Sequence, residues 1–113
     1  AQIAEVQDLV VEQVEVPEWG GSVNVRSMTG LERDEFEADI YSRSKGNKLD
    51  MRGMKILLCS LTIVDDEGQL MFNDKAGRKI LESKSAKSVN TVFEVAQRLN
   101  ALSSGDIEEL EKN

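Results

Sequence analysis

Apolar residues recur at helical spacing towards the end of the chain, and this pattern constrains the fold more than any other feature. They are Val89, Val92, Phe93, Ala96, Leu99 and Leu102. Steps of three and one residues put them on one face of a helix. The sequence therefore predicts an amphipathic helix over residues 86–103, with Gly105 at the C-cap. Such a face more often covers a core than forms a binding groove.

A period of two residues marks an earlier region. Val14, Val16, Val23 and Val25 alternate with polar residues on either side of Pro17-Glu18-Trp19-Gly20-Gly21. Alternation interrupted by Pro and Gly is typical of a β-hairpin and its turn. Residues 1–13 fit either a short helix or a strand, and both alternatives stay open.

A helix should follow the hairpin, because Thr29 and Glu32 have the spacing of a capping box. In that arrangement, the hydroxyl and the carboxylate each accept a hydrogen bond from the other residue's backbone amide. We expect this helix to run to about residue 43, with Leu31, Phe36 and Ile40 on one face.

The middle of the chain predicts two more helices and a second hairpin. Helical spacing of apolar residues indicates a helix over 48–59, and Asn73 is suited to cap another over 74–82. Between them, Asp65-Asp66-Glu67-Gly68 reads as a turn, with Leu70 to Phe72 as the returning strand. Gly77 weakens the helix over 74–82 by about 1 kcal/mol relative to Ala.

A length of 113 residues suits one compact core. The predicted fold class is therefore α+β: a small single domain over residues 1–113, with two β-hairpins covered by about four helices. Residues 106–113 are expected to form a short acidic turn or tail.

The residue types present argue against most catalytic and metal chemistry. The chain has no histidine, which removes the commonest general base and metal ligand. Cys59 lies in an apolar run and reads as a buried small hydrophobe. No phosphate-binding glycine pattern is present. We therefore expect a protein that is not an enzyme and has no metal or cofactor.

Charge and hydropathy limit the classes of partner that the protein is expected to bind. Fourteen Lys and Arg against 21 Asp and Glu give a net charge of −7, which repels nucleic acid. The apolar runs are too short to span a bilayer and the first residues lack a basic leader pattern, so we expect neither membrane insertion nor secretion. The acids Asp65, Asp66, Glu67 and Asp74 are more simply an exposed turn than a cation site or a hydrolytic pair.

Two regions are candidates for contact with a partner protein. Trp19 is the only large anchor and either stands exposed at the turn or folds back over the core. The second region is the basic stretch from Lys75 to Lys87, on an otherwise acidic chain, in which the candidate contact residues are Lys75, Arg78 and Lys79, and which also contains Lys84. A stretch of this kind is usually a solvated helical face.

Several segments resemble the tail assembly chaperones of siphovirus-type bacteriophages, which have long non-contractile tails. One segment runs from Val14 through Pro17-Glu18-Trp19-Gly20-Gly21 to Met28-Thr29-Gly30-Leu31-Glu32-Arg33-Asp34-Glu35-Phe36-Glu37. Others are Val64-Asp65-Asp66-Glu67-Gly68, Phe93 to Ser103, and Asp106 to Glu111. Together they extend over most of residues 14–112, and residues 41–55 are the least similar part.

The resemblance implies a chaperone of the host bacterial cytoplasm, absent from the finished virion. It implies that the protein coats the tape measure protein and helps recruit tail tube protein, through a longer form made by ribosomal frameshifting. A homo-oligomer stays an open alternative. So do a different small protein-binding chaperone or regulator and, less favoured, a carboxylate-dependent hydrolase.

Overall fold

The computed structural model describes residues 2–42 and 53–102 of the chain. Within them, three antiparallel strands form one sheet in the order β1-β2-β3, and four helices accompany it. The strands are Val11–Val16, Gly21–Arg26 and Ile63–Val64. Helices α1 to α4 are Gly30–Ser42, Met54–Ser60, Lys75–Glu82 and Ala86–Leu99. The predicted α+β class is confirmed.

The first hairpin forms as predicted. Strands β1 and β2 pair over their whole length, with Val14 opposite Val23 and Val16 opposite Gly21. A 3-10 turn over Pro17–Trp19 joins them, and Gly20 leaves it with a φ of 81°. A positive φ of this kind favours glycine. Residues 2–10, left open by the sequence, hold a 3-10 turn at Ile3–Glu5 and otherwise have no helix or strand.

The second hairpin keeps its predicted turn but not its returning strand. Gly68 has a φ of 83°, and its amide donates to the carbonyl of Asp65 at 3.0 Å. Beyond the turn, only an isolated bridge joins Val64 to Leu70. The segment from Leu70 to Phe72 is too short for a ladder because α3 is capped immediately after it. Strand β3 pairs instead with β2, where Val25 lies opposite Ile63.

Helix α1 begins with the predicted capping box. The Thr29 hydroxyl accepts from the Glu32 amide at 3.1 Å, and the Glu32 carboxylate accepts from the Thr29 amide at 2.8 Å. Phe36 and Ile40 are buried, but Leu31 is 68% exposed, so the prediction that all three share the core face is wrong for Leu31. Leu31 precedes Phe36 by five residues, which at 3.6 residues per turn places it about 140° around the helix from Phe36, away from the core face.

The cap of α3 is Asp74, so the prediction of Asn73 is wrong by one position. The Asp74 carboxylate accepts a hydrogen bond from the Gly77 amide at 2.6 Å, which satisfies one of the free amides of the first turn. Gly77 also has a packing role. A methyl group placed on it would lie 2.5 Å from the Phe72 Cα, so only glycine allows α3 to approach the preceding loop this closely.

Helix α4 ends at Leu99, four residues before the predicted boundary at 103. Ala101 takes a left-handed conformation with a φ of 52°. Its amide donates to the Arg98 carbonyl at 3.1 Å, and the Leu102 amide donates to the Gln97 carbonyl at 2.9 Å. These two bonds make a Schellman termination, and Leu102 is buried beside it as that motif favours. The C-cap of α4 is therefore Asn100, and the prediction of Gly105 as this cap is wrong. Gly105 itself lies outside the described residues.

Helix α2 begins at Met54, so the prediction of one helix from 48 is wrong: Gly53 has a φ of 75°, a left-handed conformation that interrupts a helix. Residues 43–52 and the acidic segment 106–113 lie outside the described residues. The core lies between the sheet and the helices and is mainly aliphatic. Its fully buried members include Val16, Val25, Leu58 and Val92, with Phe36 as the largest. The face predicted from 89–102 is core: Val89, Val92, Phe93, Ala96 and Leu102 are buried, and Leu99 packs against them.

Candidate functional site

The basic stretch divides between two environments. Lys75 and Lys79 are exposed on α3, and Lys84 is exposed in the loop before α4. Arg78 is half-buried instead. Its Nε atom is buried and has no hydrogen-bond partner in the part of the chain that the structure describes. The stretch is therefore not one continuous solvated face.

A groove lies where helices α2, α3 and α4 meet, with a volume of about 300 Å³. We call it the three-helix groove. Its apolar lining comes from Ile56 on α2, Leu81 on α3, and Ala86 and Val89 on α4. Its charged lining consists of Lys55, Glu82 and Lys84. An apolar floor with a few charged groups at the rim is typical of a surface that binds another molecule.

Lys55 is held in place at the rim. Its ammonium donates to the Asn90 side-chain oxygen at 2.8 Å and lies 5.2 Å from the centre of the Phe93 ring. Both contacts favour one position of a side chain that is otherwise flexible. The positive charge of Lys55 is therefore fixed beside the groove.

A smaller hollow of about 160 Å³ adjoins the three-helix groove and shares Ile56 and Glu82 with it. Arg78 lines this second hollow together with Asp39 and Glu82. Among the described residues, two acids and one guanidinium line this hollow. In the same part of the chain, the positive charges that line the three-helix groove are those of Lys55 and Lys84.

Trp19 folds back over the core. The side chain is partly buried and packs against the core cluster, and its indole Nε1 is buried with no hydrogen-bond partner among the described residues. The structure therefore favours the packing alternative for Trp19. Its neighbour Glu18 faces α4, with a carboxylate oxygen 3.9 Å from the Lys87 ammonium. A contact between Trp19 and a partner stays a prediction.

Cys59 is a buried small hydrophobe, as its apolar context predicts. It is 1% exposed, and burial raises the pKa of its thiol to about 12, against the opposing effect of the Lys55 charge. A protonated thiol of this kind is a poor nucleophile. The sulfur lies 3.9 Å from the carbonyl of Val89, close behind the lining of the three-helix groove.

The acidic turn uses its carboxylates for local structure. Asp65 accepts from the amides of Glu67 and Gln69 at 2.8 and 3.0 Å, and Asp66 accepts from the Asn24 side chain at 3.3 Å. Asp74 is the α3 cap. Bonds of this kind are typical of turns and caps, and they give no support to a catalytic pair.

Within residues 2–42 and 53–102, no group of three or more His, Cys, Asp or Glu side chains is arranged to hold a metal ion. None of the helices described is long and apolar enough to cross a bilayer.

Sequence reasoning missed the groove because its lining comes from three helices. Lys55 lies inside the apolar run Met54-Lys55-Ile56-Leu57-Leu58, and a charge in that position is the one local signal that this helix borders an open surface. Lys84 belonged to the predicted basic stretch, but nothing in the sequence separates it from Lys75 and Lys79.

Comparison with known proteins gives one informative similarity. No model of a protein family matches the chain, and no curated protein matches it. The fold is similar to that of the solved bacteriophage HK97 tail assembly chaperone, with a TM-score of 0.61 over 86% of each chain. Sequence identity is 18%. This similarity shows a shared fold.

Proposed function

We propose that this chain is a tail assembly chaperone that binds the tape measure protein and helps recruit tail tube subunits as the tail is built. The observation that carries the proposal is the fold shared with the HK97 tail assembly chaperone over most of both chains. The segments that resemble the family include the hairpin, the capping box and helix α4, and all three form in the structure.

The surface of the protein suits a binding role. A tape measure protein is a long helical chain with apolar stripes, which would self-associate if they were left uncovered. The three-helix groove offers an apolar lining to such a stripe, and a net charge of −7 would keep a coat of many copies dispersed. The protein would act in the host bacterial cytoplasm and leave before the virion is complete. A frameshifted longer form would carry the contact with tail tube protein.

Co-expression tests this function. The tape measure protein, taken from the gene cluster that encodes this chain, is produced in bacteria alone, with the chaperone, or with an unrelated acidic protein of similar size. We expect the chaperone alone to raise the soluble fraction and to co-purify in several copies per tape measure chain. An insoluble tape measure protein in all three cultures would contradict the proposal.

Gene neighbourhood separates this function from the alternative of another small chaperone or regulator. A long coiled-coil gene shortly downstream favours the tail function. A position outside any run of tail genes favours the alternative.

A further inference from the structure

The three-helix groove combines an apolar floor with a charge opposite to that of the protein as a whole. Leu81 is 1% exposed and Val89 6%, so their side chains form a fixed floor, while Ile56 is partly open. Ala86 is exposed at the first position of α4, where a side chain of one methyl group leaves the groove open at that end.

Among the described residues, the rim carries two positive charges against one negative charge. Lys55 and Lys84 oppose Glu82. The amino end of the 14-residue helix α4 adds a partial positive charge at the same end as Ala86. Elsewhere the chain carries a large excess of acids, and its net charge of −7 would repel an acidic partner. An apolar partner with acidic flanks would therefore be attracted to this groove rather than to the rest of the surface.

We infer that the three-helix groove docks one amphipathic helix, with aliphatic residues at helical spacing and Asp or Glu on the flanks of that stripe. The inference rests on the proposed function and names the segments of the tape measure protein that the chaperone would choose. Aliphatic side chains of the bound helix enter between Ile56, Leu81 and Val89. Its acids face Lys55 and Lys84.

The shape of the groove favours a helix over an extended strand. Its described lining comes from three helices and the short loop before α4, so no strand edge with free backbone groups borders it among these residues. A helix satisfies its own backbone hydrogen bonds and needs from the groove only apolar contact and charge. Lys55 is already held by Asn90 and Phe93, so little of its freedom is lost on binding.

Two designed peptides, each titrated with the whole chain, test whether the groove prefers acidic or basic flanks on a bound helix. Each has about 18 residues, enough for five helical turns, with leucines on one stripe. One peptide has Glu on both flanks of the stripe and the other has Lys. We expect the Glu peptide to bind about tenfold more tightly at low salt, as measured by fluorescence anisotropy, and this difference to shrink as salt is added. Equal affinities would overturn the inference.

Three variants locate the contact. Lys84→Glu reverses a rim charge, and Ala86→Phe fills the groove from an exposed position. Lys79→Glu is the matched control, because it makes the same charge change on the exposed face of α3 outside the groove. We expect about tenfold weaker binding of the Glu peptide by the first two and less than about twofold change by the third. Thermal unfolding checks that all three fold. Equal losses for Lys84→Glu and Lys79→Glu would overturn the inference.

The same variants, co-expressed with tape measure protein, separate this inference from the proposed function. Unchanged soluble yield with Lys84→Glu and Ala86→Phe leaves the function standing and overturns the groove as its site. Binding of the Glu peptide without any effect on tape measure protein overturns the named partner. The inference is supported if Lys84→Glu and Ala86→Phe lose both Glu-peptide binding and the soluble yield of tape measure protein while Lys79→Glu keeps both.

A second copy of this chain is the competing occupant. Residues 2–10 expose Ile3, Val6 and Val10 beside Glu5 and Asp8. A peptide of residues 2–10 that displaces the Glu peptide at lower concentration than the unlabelled Glu peptide itself would overturn the inference in favour of self-association.

Discussion

The β1–β2 hairpin and the layer of helices α2, α3 and α4 use their apolar side chains in opposite ways. In the hairpin, Val14, Val16, Val23 and Val25 and the single tryptophan all pack in or against the core. The turn, for which an exposed tip was one of two alternatives, therefore contributes to packing. The helices bury their stripes too, but they leave a groove between them. Trp19, the largest side chain of the protein, is thus used in packing. The open groove is lined by residues of separate helices that no sequence motif singles out.

Among the substitutions that test this contrast, replacing Leu81 in the groove floor should have the largest effect on stability. Leu81→Ala should lower the free energy of unfolding by about 2 to 4 kcal/mol, because the side chain is 1% exposed and its loss leaves a cavity. Its neighbour Ile80 is 48% exposed and provides the control. Ile80→Ala should cost about 0.5 kcal/mol or less in the same denaturant titration. Similar costs for the two would show that the floor is not packed as described.

The Cys59 thiol lies behind the groove lining, so the pH dependence of protein stability reports how well this region excludes water. Burial raises the Cys59 pKa from 9.0 to about 12, so the folded state keeps the proton when the unfolded state loses it. This contribution to stability is fully present below pH 9 and is lost as pH rises towards 12. We expect a loss of about 2 kcal/mol between roughly pH 7 and 10.5, relative to Cys59→Ala. Parallel pH profiles for the two proteins would indicate an accessible thiol.

Substitutions of Trp19 test whether the turn of the hairpin contributes to core packing. Because its ring is partly buried against the core, Trp19→Ala should cost about 1.5 kcal/mol, less than a fully buried tryptophan would. Trp19→Phe keeps most of the ring and removes the unpartnered N–H, so it should change stability by less than about 1 kcal/mol. If Trp19→Ala leaves thermal stability unchanged and only weakens partner binding, the residue is an exposed anchor after all.

The α3 wall of the groove depends on its cap. Asp74→Ala removes the acceptor of the Gly77 amide and should cost about 1 kcal/mol. Asn73→Ala, one residue earlier and exposed, should stay within about 0.5 kcal/mol. Paired chemical denaturation curves decide between the two positions, and a larger cost for Asn73 would move the start of the helix.

The smallest effect concerns the backbone at the end of α4. Ala101→Gly should raise stability by about 0.5 kcal/mol, because glycine relieves the left-handed conformation that alanine adopts there. Ala38→Gly, at an exposed position inside α1, should lower stability by about 1 kcal/mol. Opposite shifts in melting temperature are expected. A loss in both variants would mean that residue 101 is not left-handed in solution.

Local chemistry made the hairpin and the start of α1 predictable. Alternating valines, a Pro-Gly turn and the Thr29–Glu32 pair each act over a few residues, and all formed where expected. The face of α4 was also predictable, since its period is fixed by the helix itself.

Long-range contacts decided what the sequence could not show. The end of α4 depends on Asn100, whose side chain accepts from the Met28 amide at 2.6 Å and whose carbonyl accepts from Arg33 at 3.2 Å. The segment after Gly68 failed as a strand because Asp74 caps α3 two residues after Phe72, which leaves room only for the bridge between Val64 and Leu70. The groove requires Lys55, Leu81 and Val89 together, and no local pattern brings them side by side.

One carboxylate described above has a consequence for the order of folding. Glu32 accepts from the Thr29 amide at 2.8 Å and from the Arg26 guanidinium at 2.7 Å, so it ties the end of β2 to the first turn of α1 within seven residues. Loops this short close in tens of nanoseconds, well before the contact between Asn100 and Met28, which are 72 residues apart, can form. The contacts that join β2 to α1 would thus form early in folding, and the hydrogen bond between Asn100 and Met28 would form late. Changes at Glu32 would then act on the rate of folding, whereas changes at Asn100 would act on the rate of unfolding.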